Sequence, residues 1–151
     1  MKFIFDALIQ IRTNCWRAIE HLSIEQLHKI PQGCNNNIAW NLGHMVTSQQ
    51  LLTYAKCNLP LLIPDEYLPL FRKDTSPKDW AKPADIEEMR RIFAHSNDMF
   101  YRDYVSNKFQ NYQAYTTSSG LTLKHIDDAL IYNYGHETLH YGVILMLRKL
   151  V

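Results

Sequence analysis

Five of the chain's six prolines fall between Asn58 and Ala84. Proline lacks the amide hydrogen a helix interior uses and clashes with the preceding turn, so this stretch reads as a connection. It splits the sequence into two halves, and both halves carry helical patterning. In the first, Ile4, Leu8, Ile11, Cys15, Ile19 and Leu22 recur at steps of three and four, the apolar stripe of an amphipathic helix. Ser23-Ile24-Glu25-Gln26 has the form of a capping box opening a short turn that Pro31 closes. The loop "GCNNN" ends in candidate N-caps for a second helix from about Asn37 to Cys57, with Trp40, His44, Thr47, Leu51 and Ala55 inward.

Beyond the connection, Asp85-Ile86-Glu87-Glu88 reads as a capped start for a third helix to about Ser106, with Met89, Ile92, Ser96, Met99 and Asp103 on one face. Thr122 is a candidate cap for a fourth, whose stripe reads Ile126, Ala129, Asn133, His136, His140, Val143 and Leu147. Strand alternation is weak throughout, and "NYQAYTT" at 111–117 carries the best of it. The expectation is an all-α fold of one domain over residues 1–151, a four-helix bundle. The long crossover makes helices 2 and 3 parallel, giving an up-down-down-up order.

Composition excludes several function classes. With 151 residues, 46% hydrophobic and 12% aromatic, the chain can bury a core and does not read as disordered. Net charge is +1 and the Lys and Arg residues are scattered, so no electrostatic footprint for nucleic acid is expected. No apolar run approaches membrane-spanning length, and no cleavage site follows the first twelve residues. The three cysteines show no C-x-x-C spacing, which points to a reduced, cytoplasmic protein rather than a disulfide framework.

His136 and His140 lie one turn apart, so both imidazoles leave the same helix face and can share one ion. His44 holds the equivalent inward position on the second helix, and an inward polar ring is costly to bury without a partner. At 1.5 Å per residue, His44 lies about 10 Å from the start of its helix and the pair about 16 Å from the C-terminal end of the last. Antiparallel packing of these two helices brings the three to one level. Three neutral imidazoles leave coordination positions open, as in a catalytic rather than a structural site. His21, His28, His95 and His125 lack this setting and read as ordinary histidines.

The letters His136-Glu137-Thr138-Leu139-His140 also match the H-E-x-x-H of zinc proteases. Such sites take a further downstream ligand, and the residues after His140, "YGVILMLRKLV", contain no His, Asp or Glu; the extended pattern's third position is Met146. A di-iron carboxylate bundle uses Glu-x-x-His twice, and the pattern recurs as Glu25 and His28. That copy lies in a short turn, and no inward Glu is expected from the second or third helix. Glu137 stays open between a base beside the metal and a solvent-facing charge. Asn133, one turn before His136, is a candidate partner behind the ligand rings or a core amide bonded to a carbonyl.

"AWNLGHMV" on the second helix and "YGHETLHYGVI" on the last resemble the DinB-like superfamily over essentially the whole chain. That resemblance implies a divalent ion (zinc, nickel or iron) on His44, His136 and His140, the up-down-down-up bundle, and a homodimer. It also implies thiol transfer, isomerisation or hydrolysis on a small-molecule substrate, with a low-molecular-weight thiol as cosubstrate. Many members carry Gln in a "GQI"-like turn where this chain has Val143. A pocket is expected at the end where the second helix begins, walled by the "GCNNN" loop and by Trp80, while Phe71 reads as core. The alternative is a metal-stabilised binding or interaction domain without turnover.

Overall fold

The computed structural model describes residues 1–151, and three of its six α-helices start at residues the sequence marks as caps. Helix α1 spans Lys2–Ile19 and α2 spans Ile24–His28. Ser23 opens α2 with the reciprocal hydrogen bonds of a capping box to Gln26. Helix α3, Ile38–Leu52, is capped by the Asn37 carboxamide, which accepts from the Trp40 amide at 2.7 Å. It ends at Leu52 rather than at Cys57. There the Thr53 hydroxyl bonds back to the Gln49 carbonyl, and the chain tightens through a 3₁₀ turn at Ala55–Cys57 to left-handed Asn58.

The proline-rich connection contains one short helix, α4, Tyr67–Phe71. Its Pro69 lies in the first turn, where the missing amide hydrogen costs nothing. Helix α5, Ile86–Val105, starts at Asp85, whose carboxylate accepts from the Glu87 and Glu88 amides. The last helix, α6, spans Ile126–Leu147, so Thr122 is not its cap. Thr122 and Leu123 form β2 instead, pairing antiparallel with β1, Tyr115–Thr116, inside the segment that carried the strand signal. Asp128 closes the start of α6 by accepting from the Lys124 and His125 amides, which draws its carboxyl below the usual range.

The fold is all-α apart from this hairpin of two two-residue strands. Helix α1 packs on α5 and α6, and α3 packs on the same two and also carries α4. Helix α3 is consequently the interior element: all of its residues are buried except Ser48 and Leu51. Apolar packing forms one cluster around Leu42, Met45, Phe71 and Met89 and a second around Phe5, Tyr54, Phe100 and Leu130. The three cysteines are free, and no helix is long and apolar enough to cross a membrane.

The inward line of α6 differs from the sequence expectation. Its buried residues are Ala129, Leu130, Asn133, Glu137, Ile144 and Leu147, so the helix is turned to put Glu137 on the core side and the histidines beside it. Arg12 of α1 causes this. Its Nε and Nη2 donate to Glu137 Oε2 and Oε1 at 2.9 and 2.7 Å, with side chains only 4% and 0% exposed. Arg12 Nη1 donates to the Phe93 carbonyl and to Ser96 of α5, and Asn133 donates to Glu137 Oε1 at 2.9 Å. A buried pair with its remaining donors satisfied is tolerated, whereas an unpaired buried carboxylate is not. Glu137 is therefore not a solvent-facing charge.

Candidate metal centre

Helix α3 presents His44 to the face of α6 that carries His136 and His140. One ring nitrogen from each of the three lies within 4.8 Å of the others. Ring centroids stand 5.2 Å apart for His44 and His136, 4.8 Å for His44 and His140, and 4.5 Å for the α6 pair. The structure thus brings together the three histidines that the spacing and the helix faces single out.

Hydrogen bonds fix two of the rings. His44 Nδ1 donates to the Phe71 carbonyl at 2.6 Å; a carbonyl only accepts, so the proton is on Nδ1 and the lone pair on Nε2. Ser48 Oγ, 3.3 Å from that Nε2, can donate to it. His140 Nδ1 meets Asn41 Oδ1 at 2.8 Å. The Asn41 amide is oriented in turn because its Nδ2 donates to the Asn37 carbonyl at 2.7 Å. His140 is therefore also an Nδ1–H tautomer with a free Nε2 lone pair. This is the arrangement in which a backbone carbonyl or amide oxygen behind the ring orients a metal ligand.

Close packing makes the His44 contact possible. A Cβ built on Gly43 would lie 2.6 Å from Phe71 Cε1 and nearer still to Cγ and Cδ1. Glycine therefore lets the Phe71 ring lie against the helix backbone, and the Phe71 carbonyl reaches His44. Trp40 covers the other side: its indole stacks on the His44 ring at 4.4 Å with an interplanar angle of 11°. Its Nε1 donates to Thr75 Oγ1 at 2.9 Å, tying the turn after α4 to the same helix.

The centre carries no negative charge. Burial, followed by repulsion from the neighbouring rings, pushes His136 down to about 4 and His140 to about 3, and burial lowers His44. All three are neutral at pH 7, the protonation state a metal requires. His136 Nδ1 is buried without a hydrogen-bond partner, an unmet valence amid two oriented lone pairs. Neutral imidazole donors suit zinc, nickel, iron and copper alike. The residues fit a divalent ion.

A cleft of about 230 Å³ opens beside His44 and His136. Its walls include Ser48 and Leu51, the two residues of α3 that are not buried, with Lys73, Tyr115, Thr117 and Tyr132 opposite. This opening faces the C-terminal half of α3 and the hairpin, not the "GCNNN" end. Trp80 lies elsewhere, its ring 5.3 Å from Phe71 and 6.4 Å from His28 in a separate depression. Asn133 bonds to Glu137 rather than to a histidine of the cluster, and Glu137 has both oxygens engaged by Arg12.

Sequence reasoning missed Asn41, the Phe71 carbonyl, Trp40 and Lys73. One signal for the Phe71 approach was available, a glycine at position 43 in the middle of a helix and next to a candidate ligand, since interior helical glycine often marks close backbone approach.

The model of the DinB superfamily matches residues 7–144. The chain belongs to the DinB superfamily. The match extends from the first helix to beyond the His136–His140 pair, so it includes all three histidines. None of the curated proteins matches the chain.

Proposed function

We propose that this DinB-superfamily chain is a divalent-metal-dependent enzyme. It would transfer a small thiol to an electrophile, or hydrolyse a small substrate. One observation carries the reading: three neutral imidazoles converge with two Nε2 lone pairs fixed from behind, and an open cleft adjoins them. A divalent ion there supplies positive charge that lowers the pKa of a thiol or water, giving a nucleophile near neutral pH.

The chain's own residues do the rest. Phe71 and Asn41 hold His44 and His140 in the tautomer that offers Nε2. Trp40 and Leu51 limit water on the α3 side, and the hydroxyls of Ser48, Thr117 and Tyr132 give the cleft neutral donors and acceptors. Glu137 is not assigned the proton-transfer step; its role is to hold α1 against α6. Asn133 supports Glu137, and Trp80 packs the crossover.

The same reading keeps a single domain, the up-down-down-up helix order, a homodimer, a low-molecular-weight thiol as cosubstrate and a cytoplasmic location, the last in keeping with three free cysteines. Metal analysis of the purified protein and of the variant His140→Ala tests the proposal. The expected result is about one divalent ion per chain, and loss of both metal and thiol-transfer or hydrolytic activity in the variant with the fold retained. A protein that binds no divalent ion refutes it. A variant that loses thermal stability when a native form showed no turnover supports the metal-stabilised binding domain instead.

A further inference from the structure

The metal reading leaves open what the cleft receives, and its charges bear on that question. None of its walls is acidic, and Lys73 is the one formally charged residue among them. The three histidines add no negative charge, and the nearest carboxylate on α6, Glu137, is neutralised by Arg12. Fully buried, Glu137 is also unable to turn into the cleft. A divalent ion held by these residues would therefore keep its charge uncompensated by the protein. The cleft is electropositive by construction, and a negatively charged guest supplies the missing balance.

The backbone that carries Lys73 is fixed in place. Lys73 lies two residues beyond Phe71, whose carbonyl is bonded to His44, and one before Asp74, which turns the chain through a left-handed conformation at φ 68°. The Thr75 hydroxyl closes this turn on the Leu70 and Arg72 carbonyls, and Trp40 Nε1 fastens Thr75 to α3. The turn that carries Lys73 is thus anchored twice to the helix that carries His44. Across the cleft, Tyr115 is held by the Lys56 ammonium, 4.0 Å from its ring centroid, and Thr117 and Ser118 follow it. Leu51 and Leu52 supply an apolar wall.

We propose that the cleft binds a small organic carboxylate, with Lys73 pairing with the carboxylate and the leucine wall taking the apolar body. Lys73 is the one cationic side chain of the cleft, enough to pair with the two oxygens of a carboxylate, and no arginine is there to grip the three oxygens of a phosphate. This inference rests on the metal reading, because the guest's reacting end would face His44 and His136.

The test uses cobalt(II)-loaded protein, whose visible absorption reports loading, titrated by calorimetry with benzoate and with its neutral counterpart benzamide. Benzoate is expected to bind at least tenfold more tightly, with the preference weakening as salt rises. Lys73→Ala should remove about tenfold of benzoate affinity and leave benzamide unchanged. Lys73→Glu should abolish benzoate binding and Lys73→Arg should retain it, all with unaltered cobalt affinity. Normal cobalt loading with equal binding of the two probes, or with no effect of Lys73→Ala, overturns this inference alone. Tighter binding of phenyl phosphate than of benzoate overturns the carboxylate assignment. Failure of cobalt to load overturns the metal reading and this inference with it.

Discussion

Replacing Gly43 by alanine tests how the metal ligand on α3 is held. Two opposed effects follow from the structure. Alanine is the better helix former, which favours the variant by about 1 kcal/mol in a helix interior. Its methyl, however, falls inside the Phe71 ring, 2.6 Å from Cε1, whereas carbon atoms rest at about 3.5–4.0 Å. The ring must retreat by roughly 1 Å from a fully buried position, and overpacking of this kind costs about 1–3 kcal/mol. The net expectation is a loss of about 0–2 kcal/mol, a fall in Tm of up to about 4–8 °C for a chain this long.

The larger consequence is at the site. Phe71 cannot retreat without carrying its carbonyl from His44 Nδ1, where it now lies at 2.6 Å. Removing such an orienting partner lowers metal affinity about 10–100-fold. Thermal unfolding with and without metal, together with competition titration against a chelator, measures both quantities. Gly135 and Gly142 on α6 supply the control, since a Cβ there meets nothing within 4 Å. Alanine at either should raise Tm slightly and leave metal affinity unchanged. A Gly43→Ala protein with raised Tm and native metal affinity would refute the reasoning.

Other expectations follow from the same geometry. Arg12→Ala leaves Glu137 buried without its partner and should cost about 3–5 kcal/mol in chemical denaturation, while the double change Arg12→Met, Glu137→Leu should recover most of that. Asn41→Leu removes the oxygen behind His140 and should weaken metal binding about tenfold or more without changing stoichiometry, read by the same chelator competition. In the metal-free protein, His136 and His140 stay neutral down to about 4 and 3, whereas in the unfolded chain they protonate near the usual value of about 6.5. Unfolding therefore takes up protons below that value, so apo stability should be full above about pH 6.5 and fall as pH drops towards 4. Urea midpoints across this range, compared with those of His140→Gln, check the slope; equal slopes in both proteins would sink the assignment.

The histidine cluster was legible because its signal is local: two rings one turn apart, and a third at an inward position of another helix. The rotation of α6 was not. A carboxylate on the core line reads as polar, and the partner that makes burial tolerable, Arg12, lies 125 residues away in the chain. The stripe read on α3 was right for Trp40, His44 and Thr47 but not for Leu51, which borders the cleft, since a helix covered on nearly every side offers little contrast between faces for periodicity to detect. Strand pairing appeared only faintly because each strand has two residues. Lys73 gave no signal at all: its place depends on a backbone carbonyl, a left-handed aspartate and a tryptophan from another helix.

The enclosure of α3 also sets the order in which the molecule comes apart. Amides in a helix wrapped by α1's neighbours α5 and α6 and by α4 exchange with solvent chiefly through opening of the whole domain. The β1–β2 hairpin is mostly exposed, rests on few buried side chains, and can open alone at much smaller cost. His44 is thus presented by the slowest-exchanging part of the chain while the opposite cleft wall belongs to the fastest. Hydrogen exchange should show a guest protecting the 115–118 segment, with α3 unaltered, so that the entropy lost on binding is concentrated in the wall and the ligand helix contributes almost none.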